Sequence, residues 1–140
     1  MCLLNGRFAA QITYRTPNVG TGEGHAVTYS NQTGLFWFFN QENVEMLLKV
    51  VDGCNVPGLN AYWVFFSATT NVDFTLTVTD TETGVAKQYR NPLGLAAEPI
   101  QDVTTFRSCP QYPSPLHPSP RDGPGYVLRG RRLSCRADRI

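Results

Sequence analysis

The sequence predicts an all-β fold, an antiparallel sandwich of two sheets. Apolar and polar residues alternate along short stretches, which places side chains on opposite faces of a strand. Gly, Pro, Asn and Asp separate these stretches at close spacing, as turns between consecutive strands require. At 140 residues with 41% hydrophobic and 16% charged residues, the chain has apolar surface for one core, so a single domain is expected. The size is immunoglobulin-like, and a small β-barrel is the alternative.

Phe8, Ala10, Ile12 and Tyr14 share one face, with Arg7, Gln11, Thr13 and Arg15 interleaved. This is a half-buried strand. Pro17 to Gly24 reads as turn, with Gly20-Thr21-Gly22-Glu23-Gly24 a hairpin tip. Ala26, Val27 and Tyr29 lead into Asn31-Gln32-Thr33-Gly34, where Gly34 is expected to take a positive φ and close a hairpin. Leu35 to Phe39 is apolar on both faces, as in a strand covered on each side. Val44 to Val51 fits helical or strand spacing, and the Asp52-Gly53 turn with β-rich neighbours decides for strand. Tyr62 to Phe66 is an aromatic strand. Asp73 to Asp80 turns Phe74, Leu76 and Val78 inward and Thr75, Thr77 and Thr79 outward. Gly84 suits the left-handed end of a short loop before Val85 to Arg90, and Asn91-Pro92 stops that strand.

The domain is expected to span 1–110. Beyond it, Pro113, Pro115, Pro118, Pro120 and Pro124 break every period, so 111–140 reads as an irregular Pro/Arg-rich tail. Two origins stay open for it, a basic linker and off-frame translation of a GC-rich gene. Residues 1–110 carry six Lys/Arg against nine Asp/Glu, and 111–140 carry six Arg against two Asp. An acidic folded part lacks the basic stripe that phosphate binding needs, which argues against nucleic acid as partner. The longest aromatic-aliphatic runs are five residues, against roughly 20 for a membrane-spanning helix, so no membrane span is expected. Met1-Cys2-Leu3-Leu4 lacks the form of a signal peptide, and an export signal is expected upstream.

Cys2, Cys54, Cys109 and Cys135 contain no C-x-x-C pair and no His at ligand spacing, so no metal site is expected. Cys54 follows a turn and Cys109 ends the ordered part, which favours a Cys54–Cys109 disulfide over two buried free thiols. Cys2 and Cys135 are left without an assigned pairing, an upstream partner for Cys2 being one option.

A resemblance rests on Cys2-Leu3-Leu4-Asn5-Gly6-Arg7-Phe8, Gly34-Leu35-Phe36-Trp37-Phe38-Phe39, Asn43-Val44-Glu45-Met46 and Lys49-Val50-Val51-Asp52-Gly53-Cys54. It continues through Tyr62-Trp63-Val64-Phe65, the stretch Leu76 to Gly84, Tyr89 to Gly94 and Ser108-Cys109-Pro110. Together these segments resemble a repeat-type β domain of exported bacterial proteins, often placed beside peptidase, lipoprotein or other surface modules. The resemblance implies a secreted or cell-surface location. It brings no catalytic or ligand residue with it.

Reading for chemistry yields no enzyme and no cofactor. His25 and His117 are the only histidines, and neither has a nucleophile-elbow or triad pattern beside it. The Gly20 to Gly24 stretch has no Gly-Lys-Ser/Thr after it, so it is not a phosphate loop. Asp73, Asp80 and Glu82 are a calcium candidate that turn chemistry explains as well. Glu42 and Glu45 are a glycosidase-type pair by residue type alone, and are expected as surface charges. Asn31-Gln32-Thr33 is a formal glycosylation sequon in a turn. Trp37, Tyr62 and Trp63 are the candidate binding surface, since neighbours along an aromatic strand cannot all face one core. Two functions follow as expectations. One is an accessory or spacer module among neighbouring domains of an exported protein. The other is a carbohydrate- or protein-binding module, including self-association by strand addition.

Overall fold

A computed structural model describes residues 1–110 and Cys135. The sequence-based expectation for 111–140 lies outside the described residues, Cys135 apart. The described residues form ten strands: β1 (Cys2–Leu3), β2 (Phe8–Thr16), β3 (Gly20–Glu23), β4 (His25–Thr28), β5 (Thr33–Trp37), β6 (Val44–Asp52), β7 (Tyr62–Ala68), β8 (Asp73–Asp80), β9 (Ala86–Asn91) and β10 (Ile100–Phe106). Every pairing is antiparallel. In the first sheet β2, β8 and β9 lie side by side, and β1 and β3 share the other edge of β2, against Phe8–Ala9 and Thr13–Thr16 respectively. The second sheet runs β10-β7-β6-β5-β4. Neither sheet closes on itself, so the fold is the sandwich and not the barrel.

Alternation builds the core. Phe8, Ala10 and Ile12 of β2 and Phe74, Leu76 and Val78 of β8 face Phe36, Met46, Leu48, Val50, Val64 and Phe66 of the second sheet, all buried. Each large side chain contributes roughly 1.5–3 kcal/mol on leaving water. Phe106 from the last strand meets Phe8 edge-on at 5.2 Å between centroids, so the end of the domain seals its beginning.

Several local expectations change. Leu35 to Phe39 is not covered on both sides: Phe36 and Phe38 are buried, whereas Phe39 is 49% exposed. Gly20–Glu23 is a strand rather than part of a hairpin tip, because Gly22 lets its backbone lie under the Tyr14 ring. At Gly24 the chain crosses between sheets, its N–H donating to the Ile12 carbonyl at 2.8 Å, where a Cβ would collide with Ile12 Cγ2. Gly34 closes no turn by a positive φ. It lies in β5 opposite Thr28, with the Met1 side chain in the space a Cβ would fill. Gly84 does take a positive φ, 76°.

Candidate functional site

The cleft of about 570 Å³ at one end of the sandwich is lined by Arg7, Asn31, Asp52, Tyr62, Thr81 and Glu82 among others. Its polar groups are consumed by the fold. Arg7 precedes β2 and grips Asp80, at the end of β8, with one edge of its guanidinium: Nε donates to Oδ1 at 2.8 Å and Nη2 to Oδ2 at 3.0 Å. Nη2 also donates to the Ser108 carbonyl at 3.1 Å, and Nη1 lies 2.9 Å from Glu82 Oε2. Nη1 further donates to the Tyr62 hydroxyl at 3.3 Å, with the guanidinium 4.8 Å from that ring's centre. One cation thus joins both sheets and the C-terminal end of the domain. Burial pushes the Asp80 carboxyl up, but hydrogen bonds from Arg7, Ser108 and the Glu82 amide outweigh it and hold its pKa at about 2.

The other chemical candidates disperse in the same way. Asp80 Oδ1 accepts from the Glu82 amide, while Asp73 pairs with Arg90 at the opposite end of β8, so the calcium candidates do not converge. Among the described residues no three His, Cys, Asp or Glu side chains gather as a metal site would need. Glu45, expected on the surface, is 3% exposed. It accepts from the Phe38 amide at 2.6 Å and from Asn43 Nδ2 at 3.0 Å, filling the place where β5 and β6 shift register. Burial raises its pKa. Asn31 clamps the turn before β2, its Oδ1 accepting from the Asn5 amide at 2.8 Å. His25 sits on β4.

What remains unconsumed is the outside of the second sheet. The outward residues of the first sheet are polar: Gln11, Thr13, Arg15, Thr75, Thr77, Thr79, Gln88 and Arg90. Those of the second are richer in apolar groups, with Thr33, Lys49, Ser67 and Gln101 among them. Leu35 stands opposite Val27 on one side and Leu47 on the other, Lys49 opposite Phe65, and Val51 opposite Trp63. Leu47 is 45% exposed, and Trp37, Trp63 and Phe65 are half-buried. Of the three residues predicted for a binding surface, Trp37 and Trp63 lie on this face. Tyr62 does not: it points inward, 6% exposed, 5.0 Å from the Phe8 ring.

Neither tryptophan is a bare platform. His25 stacks on Trp37 at 3.9 Å between centroids and 16° between planes. Trp63 packs over Gly53 and donates its Nε1–H to the Leu59 carbonyl at 3.0 Å. The two rings are set beside Val44 and Val51 of β6, seven positions that place them on the order of 20 Å apart. Between them lie Leu35, Leu47, Lys49 and Phe65. Sequence reasoning missed these contributors because each belongs to a strand that looks apolar throughout, and only the register separates inward from outward.

Two disulfides complete the frame: Cys54–Cys109, as expected, and Cys2–Cys135, whose pairing the sequence left open. Among the described residues no helix is long and apolar enough to cross a membrane. No family model matches the chain. No curated protein matches it. No solved structure matches it.

Proposed function

We propose that the chain is a non-catalytic accessory module of an exported bacterial protein, and that it works by seating the outer face of its second sheet on a neighbouring domain. The observation that carries this is the contrast between the two outer faces. A spacer that touches nothing has no reason to leave Val27, Leu35, Leu47, Phe65 and two tryptophans outward on one sheet while the other shows threonine, glutamine and arginine. Contiguous apolar surface on a small domain marks an interaction site. The two disulfides fit an oxidising compartment.

Carbohydrate binding through Trp37 and Trp63 is the rival reading. It is weakened by the His25 stack over one ring and the Gly53 contact under the other, which leave no pair of open, coplanar faces for sugar rings. Tryptophan fluorescence separates the two. The expected result is no spectral shift with soluble polysaccharides, and reduced acrylamide quenching when the module is joined to the domain beside it in its gene. A polysaccharide-dependent shift, or equal quenching in the isolated and joined forms, would contradict the proposal.

A further inference from the structure

The mostly apolar outer face of the second sheet carries one lysine and no acid. The strands of that sheet hold three acidic residues, and all three are engaged away from this face. Glu45 is buried and accepts from the Phe38 amide. Asp52 and Asp102 are paired in register with Tyr62 and Val64, which are buried, so both share the inward side of their strands. Asp52 accepts from the Cys54 amide, and Asp102 receives the Tyr89 hydroxyl. Lys49 is the only Lys or Arg in the five strands, and alternation turns it outward between Leu47 and Val51.

Lys49 stands at the middle of the face rather than on its rim. β6 is the central strand of the five, so each sheet edge lies two strands away, about 10 Å. Thr33 and Phe65 flank Lys49 across the two ladders. Its Nζ is 5.4 Å from the centre of the Phe65 ring, so the stem lies along the sheet and the residue is half-buried. Among the described residues no carboxylate pairs with this ammonium and no oxygen accepts a hydrogen bond from it. In the free module its charge is left to solvent.

We infer that the neighbouring domain seats an aspartate or glutamate side chain on Lys49, at the centre of an otherwise apolar contact. The inference rests on the docking role proposed above. Covering the face takes the ammonium out of water, and a buried cation without a counter-charge undoes much of what the apolar contact gains. Snorkelling to the rim gives no relief, because a four-carbon stem does not cross two strands. The Phe65 ring attracts the cation but does not neutralise it. A carboxylate meets the demand with one residue. It also fixes the alignment of the two surfaces, since a single charge pair in an apolar field is satisfied in one register only.

The full chain joined to the domain beside it in its gene tests this. A water-soluble carbodiimide condenses an ammonium and a carboxylate in contact into an amide, the reagent taking up the water lost. It is expected to link Lys49 to an aspartate or glutamate of the neighbouring domain, identified by mass spectrometry after digestion. Lys87, exposed on β9 of the other sheet, is expected to form no such link. Lys49→Met keeps an apolar stem and removes the charge. It is expected to shift the balance about tenfold or more toward the undocked form, because the partner's carboxylate is then covered without its cation. The readout is acrylamide quenching of tryptophan, which should rise toward the value of the isolated module. A wholly apolar partner surface gives the opposite sign, tighter docking in Lys49→Met. Tryptophans protected in the joined form without a Lys49 link, or with docking unchanged or strengthened in Lys49→Met, would overturn the inference and leave the docking role standing. Equal quenching of the isolated and joined wild-type forms would remove the docking role, and the inference with it.

Discussion

Arg7 shows how one side chain can hold a fold together across large sequence distances, reaching Asp80, Tyr62 and Ser108 at once. Asp80 is fully buried, so removing its cation leaves an uncompensated charge in the interior. Arg7→Ala is expected to cost about 3–5 kcal/mol in denaturant unfolding, far more than an exposed ion pair such as Arg90 with Asp73. The pH dependence has a definite sign. Because the folded pKa of Asp80 lies below its ordinary value, the stabilisation is complete above about pH 4 and drains away as pH falls through about 2. It amounts to about 2 kcal/mol, and acid titration of stability should lose that increment in Asp80→Asn. Glu45 is a different case, a buried carboxylate raised by burial and retained for its bond to the Phe38 amide. Glu45→Ala is expected to cost about 1–3 kcal/mol by orphaning that amide. Glu45→Gln, which keeps an acceptor, should cost less in the same assay. None of this was legible in the sequence. The Arg7–Asp80 pair is 73 residues apart, and nothing about Glu45 distinguishes it from Glu42 until the register shift between β5 and β6 is known.

Among the elements, legibility followed the contrast between the two sides of each strand. β2 and β8 alternate apolar with polar, and their inward residues are those the alternation marks. β3 escaped because Gly22 serves the approach of its backbone to Tyr14, a requirement that looks the same as a flexible turn. β10 escaped because Ile100-Gln101-Asp102-Val103-Thr104-Thr105-Phe106 changes phase within itself. Asp102 accepts from the Thr104 and Thr105 amides at that shift, and receives the Tyr89 hydroxyl from β9 at 2.6 Å, linking the two sheets at this side. Gly24→Ala is expected to destabilise markedly in thermal melts, since the crossing between β3 and β4 has no room for a methyl group against Ile12. The bond from Cys54, just after β6, to Cys109, just after β10, closes a loop of 55 residues. Chain entropy assigns it about 4 kcal/mol, and the Cys54→Ser/Cys109→Ser double variant should lose an increment of that size in urea unfolding.

At the scale of the molecule, the interior explains the fold, and the proposed function rests on the exterior. The sandwich class was legible because burial of alternate residues leaves two facing layers as the simplest solution. The difference between its two outer faces was not, since strands rich in Trp and Phe read as core on both sides. That difference is the foundation of the proposed role. Leu47→Lys is expected to change stability by no more than about 0.5 kcal/mol, as for other exposed positions, because Leu47 is 45% exposed. Hydroxyl-radical footprinting of the module alone and joined to its neighbouring domain tests the central claim most directly. Leu47, Phe65, Trp37 and Trp63 should oxidise more slowly in the joined form, while Val19 and Leu93, exposed outside the second sheet, oxidise at unchanged rates. Equal oxidation of the four face residues in both forms would contradict the account.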